Sequence, residues 1–274
     1  MLCLCAAASV LADTNRDGVA MLPFEPSEQL IYEGEFSKLL LRGVTLAELR
    51  FTAERTVAEA PDKAETKAES QPTVNLRFTV EAVSKGWFRK LFGIHFRYLV
   101  QSIVEPFSLA VVRTTTLDEQ GRRLRTSETV YNRTSGSLVW TERDPNDPAR
   151  PPRVVASSLN NQATSDLAFA LYYLRTQPLV LGESFEFTMS DSGQIYRIPV
   201  EVVEKKRIKT VLGEVSTIRV NVDVFGDKRL VNGQGKMSVW FTDDRRRIPV
   251  RAEISSEMGT LDITLKRVTN GTQA

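Results

Sequence analysis

Apolar residues recur with a period of two over most of this chain, and nothing else in the sequence constrains its fold as much. Val74, Leu76, Phe78, Val80 and Ala82 alternate with Asn75, Arg77, Thr79 and Glu81. Tyr196, Ile198, Val200 and Val202 alternate with Arg197, Pro199, Glu201 and Val203. Ile218, Val220, Val222 and Val224 do so with Arg219, Asn221 and Asp223, and Ile248, Val250, Ala252 and Ile254 with Pro249, Arg251 and Glu253. Leu261, Ile263 and Leu265 alternate with Asp262, Thr264 and Lys266. A strand sends successive side chains to opposite faces, so each run makes a strand with one apolar and one polar face. That is antiparallel sheet with one wet side. Turn formers separate the runs: Glu119-Gln120-Gly121, Asp191-Ser192-Gly193, Leu212-Gly213, Asn232-Gly233 and Thr242-Asp243-Asp244. The expected class is all-β, mainly antiparallel: a strongly curved sheet or open β-barrel of about a dozen strands.

Three segments break the period. Asp166 to Thr176 reads as an amphipathic helix, with Ser165 or Asp166 as its cap and Leu167, Leu171 and Leu174 on one face. Phe169, Tyr172 and Tyr173 add aromatic bulk, and Pro178 ends it. A helix in such a chain must bury its stripe against the sheet. Residues 57–72, rich in Ala, Glu and Lys, read as a mobile, solvated insertion. Gly86 to Gly93 sets Trp87, Phe88, Leu91 and Phe92 among Lys85, Arg89 and Lys90. It reads as a helical turn covering the open end of the core, with contact to lipid head groups as the alternative. The expected organisation is one β-barrel-like domain over 22–268, followed by a tail at 269–274.

Composition narrows the chemistry. The chain has 274 residues, two cysteines and one histidine. Cys3 and Cys5 lie in an apolar run, Leu2 to Ala12, that ends in small residues. Residues 1–12 read as a secretory signal, with Val10 and Ala12 before a cleavage site at Asp13. The alternative is a buried N-terminal strand or helix. The basic segment that usually precedes such a run is missing, so the true start is expected further upstream. Neither cysteine has the small-residue context of a lipoprotein anchor. A chain matured in this way has no thiol and one imidazole, His95. That excludes disulfides, thiolate nucleophiles and zinc sites built from Cys or several His. With Lys plus Arg at 36 and Asp plus Glu at 34, the charge does not imply nucleic-acid binding. The expected location is the periplasm, or another exported site of a bacterial envelope.

Several motifs, in order, resemble the domain-of-unknown-function family 3108. Phe24, Pro26, Glu28, Leu30 and Tyr32 resemble its opening Phe-x-Pro-Gly-Glu-x-Leu-x-Tyr, and Gly43 follows about a dozen residues on. Tyr172-Tyr173-Leu174-Arg175 resembles its central helix, and Lys209-Thr210-Val211-Leu212-Gly213-Glu214 its Lys-Thr-x-x-Gly-Glu turn. Trp240-Phe241-Thr242-Asp243-Asp244 with Arg247-Ile248-Pro249-Val250 resembles its C-terminal hairpin, and Gly259 and Leu265 fit its last strand. Ser27 departs from the family's glycine. The resemblance covers about Phe24 to Arg267. It implies a bacterial envelope protein with a strongly curved antiparallel sheet, and no established reaction or catalytic residue. The architecture is similar to periplasmic lipoprotein carriers, in which an open barrel wraps an apolar cavity under a helical lid. Fold alone does not decide function.

Each candidate residue has an ordinary reading beside the functional one. Trp240 to Val250 sets Asp243 and Asp244 beside Arg245, Arg246 and Arg247. It reads as a hairpin with a side-chain-stabilised turn. Adjacent Asp residues in one turn diverge, unlike a glycosidase pair. Glu28 and Arg175 are suited to pair between sheet and helix, where they would set register more than add stability. His95 reads as a rim residue rather than a base. Lys205, Lys206, Arg207 and Lys209 read as a solvated hairpin end, with anionic lipid contact as the alternative.

The leading functional reading is a non-enzymatic protein that binds a lipid or other apolar ligand in a barrel-like cavity, with no cofactor. The expected ligand and lid residues are Trp87, Phe88, Phe92, Phe169, Tyr172 and Tyr173. The alternative is a scaffold with a packed interior, acting on an envelope protein partner through its surface. An enzyme, which would need facing carboxylates in a cleft, and an outer-membrane barrel, which would need apolar faces pointing outward, rank behind these.

Overall fold

Fifteen strands join edge to edge in one sheet, among the residues that the computed structural model describes: 22–57, 74–85, 93, 95–159 and 163–270. They are β1 Glu28–Lys38, β2 Leu41–Val57, β3 Val74–Ser84, β4 Phe96–Val104, β5 Val111–Gln120, β6 Arg123–Asn132, β7 Ser137–Arg143, β8 Arg153–Ser158, β9 Thr164–Ser165, β10 Ser184–Asp191, β11 Gln194–Thr210, β12 Gly213–Val222, β13 Gly235–Thr242, β14 Pro249–Ser256 and β15 Gly259–Asn270. The helix α1, Leu167–Thr176, lies between β9 and β10. Across the sheet the order is β8-β7-β6-β5-β4-β3-β2-β1-β15-β14-β13-β12-β11-β10-β9. The first and last strands therefore pair at the centre, β1 against β15, and two meandering arms run outward from that pair, the first through β2 to β8 and the second through β14 to β9. Neighbouring strands are antiparallel, except that β9 joins β10 in parallel.

The arms curl until their ends meet. Ser157 Oγ of β8 donates to the Gly193 carbonyl in the β10–β11 turn at 2.6 Å. Gly193 has φ +79, and a Cβ there would stand 2.7 Å from the Val155 side chain. Only glycine lets this turn seat against β7 and β8. Among the described residues no ladder crosses the meeting point, so β8 and β9 remain edges and the barrel stays open. An open edge has unpaired backbone groups and no place in hydrocarbon.

The apolar faces point inward and form the buried clusters. Apart from the buried Arg175–Glu28 pair, ion pairs such as Arg251–Asp262 at 2.6 Å, Arg97–Glu81 at 2.8 Å and Lys85–Glu33 at 2.8 Å lie at partly exposed positions. This is the reverse of a membrane-embedded barrel. No helix among the described residues is long and apolar enough to cross a membrane.

Three differences from the sequence reading have local causes. The sheet has fifteen strands where about a dozen were expected, because β9 is only two residues long and β5 and β6 carry Thr, Arg and Ser at positions where an apolar period would mark a strand. β15 continues to Asn270, beyond the expected end at 268, because Glu28 and Gln29 offer it partners. The β14 alternation is interrupted by a bulge: Phe241 faces Pro249 while Trp240 faces Arg251, leaving Val250 as the extra residue. Pro249 therefore lies on the cavity side, with Ala252. The expected signal segment 1–12 and residues 58–72 of the expected insertion lie outside the described residues, and Val57, the insertion's expected first residue, ends β2.

Candidate functional site

Helix α1 threads the interior between the two arms, and each end is held by a different one. At its start, Asp166 is the cap, its Oδ1 accepting from the Phe169 amide at 2.9 Å. Its other oxygen accepts from Ser102 Oγ of β4 at 2.5 Å and from Thr114 Oγ1 of β5. Burial pushes this carboxyl above its ordinary range, while the hydrogen bonds from Ser102, Thr114 and the helix amides pull it back. At the other end Arg175 meets Glu28 of β1. Its Nη1 lies 2.5 Å from Glu28 Oε1, Nη2 donates to the Pro23 carbonyl at 2.9 Å, and Nε donates to the Arg246 carbonyl at 3.0 Å. Arg247 returns the contact, donating to the carbonyls of Arg175, at 3.1 Å, and of Gln177. A cation at a helix C-terminus also complements the helix dipole.

Each side of the helix meets a different environment. Phe169 and Tyr172 pack into the first arm. The Phe78 ring is centred 4.8 Å from Phe169 and 4.6 Å from Tyr172, and Phe24 is 5.0 Å from Tyr172. Leu167, Leu171 and Leu174 turn the other way and wall a cavity of about 180 Å³ against the second arm. Phe187, Met237 and Val239 stand opposite them. Tyr32 also reaches this cavity, and its hydroxyl is engaged by the Pro249 carbonyl at 2.7 Å.

A second, polar cleft of about 170 Å³ lies between β4–β7 and the β10–β11 turn. At its base the hydroxyls of Tyr131 and Ser190 are 2.5 Å apart, next to the Asp166 site. Burial raises the Tyr131 phenol, and the Asp166 charge raises it further. Tyr98 is pushed up to about 12, chiefly by burial and then by Asp191 and Asp118. The guanidinium groups are tied down, Arg123 to Asp118 at 2.9 Å and Arg125 to Asp144 at 2.5 Å. The walls also carry hydroxyls, including Thr116, Ser127 and Thr129, and the carboxylates Glu142 and Asp191. Leu167 lines this cleft as well as the apolar cavity, so the two spaces adjoin at the first residue of the helix.

Of the residues singled out from sequence, Glu28, Tyr32, Arg175, Arg247, Asp244 and Pro249 come together as a clasp around the helix end. Asp244 Oδ1 accepts from Thr242 Oγ1 at 2.8 Å and from the amides of Arg246 and Arg247 at 2.9 and 3.0 Å. Asp243 turns outward to Lys205 at 3.0 Å. Trp240 lies between the guanidinium groups of Arg251 and Arg219, at 4.8 and 5.9 Å from its ring centroid. His95 is exposed. Among the expected lid residues, Phe169 and Tyr172 are packed core and do not line the cavity. Tyr173 is partly buried, its ring 5.8 Å from Phe187. Trp87, Phe88 and Phe92 lie outside the described residues. The polar cleft was missed. Its signal was the polar alternation of Arg123, Arg125, Ser127 and Thr129, which reads as a wet outer face when no neighbour is known.

Ser27 has φ +150, a conformation that glycine adopts readily and serine does not. The position where the sequence departs from the opening motif it resembles thus keeps a backbone suited to glycine.

Among solved structures, a β-barrel-like protein of the domain-of-unknown-function family DUF1849 from Brucella abortus matches with a TM-score of 0.54 and 8% identity. The match covers 90% of this chain and 98% of that one, and at such identity it speaks for the fold alone. A proposed lipoprotein from Parabacteroides distasonis aligns over 90% of this chain and 97% of its own, at 10% identity and a TM-score of 0.31, too low to carry an argument. No curated protein matches the chain. From within β2 to within β15, residues 49–266, the sequence fits the model of the family described as Protein of unknown function (DUF3108), and the chain belongs to that family.

Proposed function

We propose that this chain is a non-enzymatic binding protein of the bacterial envelope, holding the hydrocarbon part of a lipid or another apolar ligand beside α1. The observation that carries the reading is the cavity of about 180 Å³ walled by Leu167, Leu171, Leu174 and the second arm. An apolar cavity of about 150 Å³ stays dry and admits a benzene-sized guest. Pockets for whole drug-sized ligands run to about 300–1,000 Å³, so this space suits a segment of a chain. Each methylene buried there contributes about 0.8 kcal/mol. The adjoining polar cleft leaves room for a head group on the far side of Leu167. The envelope location rests on the signal-like residues 1–12. The contrary reading, a scaffold acting through its surface, is favoured by the tight Phe24–Phe78–Tyr172 packing of the first arm.

Native mass spectrometry of the exported protein, followed by lipid extraction, tests the reading. Co-purifying lipid in substoichiometric or full amount supports it. Protein that is consistently empty and takes up no added fatty acid sinks it in favour of the scaffold.

A further inference from the structure

The β1–β2 hairpin turns through two leucines that the fold does not use. Lys38 pairs with Leu41, so Leu39 and Leu40 form the turn. Leu39 has φ +50, backbone that favours Gly, Asn or Asp. Turn positions of this kind ordinarily carry residues that bond to backbone or water. These two side chains are instead 87% and 99% exposed. Large apolar groups at such a position contribute nothing to the core and carry a backbone cost.

They are not alone at that end. The β1–β15 ladder stops at Ser37 opposite Thr260, which sets the β14–β15 turn next to the leucines. Met258 in that turn is 75% exposed. Lys38 and Arg42 flank the leucines and are exposed. Glu257 is the acidic residue of the two turns and the Glu35 carboxylate lies beside Gly43, while Lys38 and Arg42 are the charges nearest Leu39 and Leu40 along the hairpin.

From this convex apolar tip and its cations, we propose that the β1–β2 turn docks on an anionic lipid bilayer. Leu39, Leu40 and Met258 enter the head-group boundary, while Lys38 and Arg42 stay at the phosphates. A protein partner would need a pocket matched to this knob, whereas a bilayer yields around it. The same end of the sheet carries Leu230, in the β12–β13 connection, which lines the apolar cavity. It also carries Asp118, Arg123 and Asp191, which line the polar cleft. Docking by the tip therefore turns the end where both spaces lie toward the membrane. The tip stands on its own evidence of exposure and charge, whether or not the cavity holds a ligand.

Vesicle flotation with the purified full chain tests this, using phosphatidylcholine with and without phosphatidylglycerol. The wild type is expected to float with the anionic vesicles and to be released by salt. The Leu39→Ser, Leu40→Ser double variant should lose affinity by about tenfold or more, since burying most of one leucine is worth that factor. Lys38→Glu with Arg42→Glu should abolish the preference for anionic lipid. Unchanged melting curves for these exposed substitutions would separate loss of docking from loss of fold. A double leucine variant that floats like the wild type overturns the proposal. So does a wild type that binds neither vesicle, which would assign the tip to a protein partner.

Discussion

The guanidinium of Arg175 lies 2.5 Å from the carboxylate of Glu28, and both side chains are closed to water. The two residues are 147 positions apart in sequence. Their pairing joins the end of α1 to the first residue of β1, and the ring centroids of Phe24 and Tyr172, 5.0 Å from each other, each lie 5.4 Å from the guanidinium carbon. Hydrogen bonds to the Pro23 and Arg246 carbonyls satisfy the remaining guanidinium groups. Desolvating two charges is expensive, so such a pair holds position more than it adds net stability.

Breaking this pair from one side should therefore be costly. Arg175→Met leaves a buried carboxylate with only Arg246, at 3.4 Å, to compensate it. A loss of about 3–5 kcal/mol is expected in urea unfolding. Combining it with Glu28→Gln should recover part of that loss, because the stranded charge is then removed. A single variant that unfolds at the wild-type midpoint would show that the clasp does not hold the helix.

Asp166 makes stability depend on pH in a stated direction. Burial raises its carboxyl above the ordinary 3.8 in the folded chain, against the pull of Ser102 and Thr114. A raised folded value means that protonation favours the fold. The contribution is complete below the unfolded value and is lost as pH rises through the folded one. Asp166→Asn cannot titrate. The stability of wild type relative to this variant should thus fall between about pH 3 and about pH 7. Parallel urea curves at the two pH values, with no change in the difference, would contradict it.

Ser27→Gly should stabilise the protein by about 1 kcal/mol, the lower end of the cost of holding a side chain in a conformation that glycine favours. The turn it belongs to is already closed by the Ser27 and Glu28 amides, which donate to the Glu25 carbonyl at 2.9 and 3.0 Å. Glycine changes the backbone preference and leaves those bonds in place. Thermal melting gives the sign directly, and a lower midpoint would refute the strain.

Ala252→Leu places three more carbons against the apolar cavity of about 180 Å³. It should abolish uptake of a fatty-acid probe while leaving the melting temperature equal or higher, because the side chain fills space that α1 leaves open. A variant that binds the probe as well as wild type would move the ligand site elsewhere.

The legible part of this molecule is what neighbours along the chain decide. Asp166 could be read as a cap because the groups it serves are the next amides. Leu167, Leu171 and Leu174 could be read as one face because helical spacing is local. Ile218, Val220 and Val222 showed their strand for the same reason. Glu28 and Arg175 were suspected as partners because both were large charges inside apolar motifs. The polar cleft was not legible. Arg123, Arg125, Ser127 and Thr129 look like a solvated face until the β10–β11 turn is seen to cover them. Pro249 was placed on the wrong face because a bulge is a property of two strands in register, and one strand alone does not reveal it.

By itself, the sequence determined a curved antiparallel sheet around one amphipathic helix, since side-chain period, caps and turn residues act over a few positions. Only the tertiary structure decided which face of α1 packs and which lines a cavity. Phe169 and Tyr172 meet Phe24 and Phe78 across the first arm, while the leucines meet the second arm at a distance their side chains do not fill. That outcome depends on how far each arm curls before Gly193 reaches Val155. Curl is the sum of many small strand twists, and no single residue encodes it.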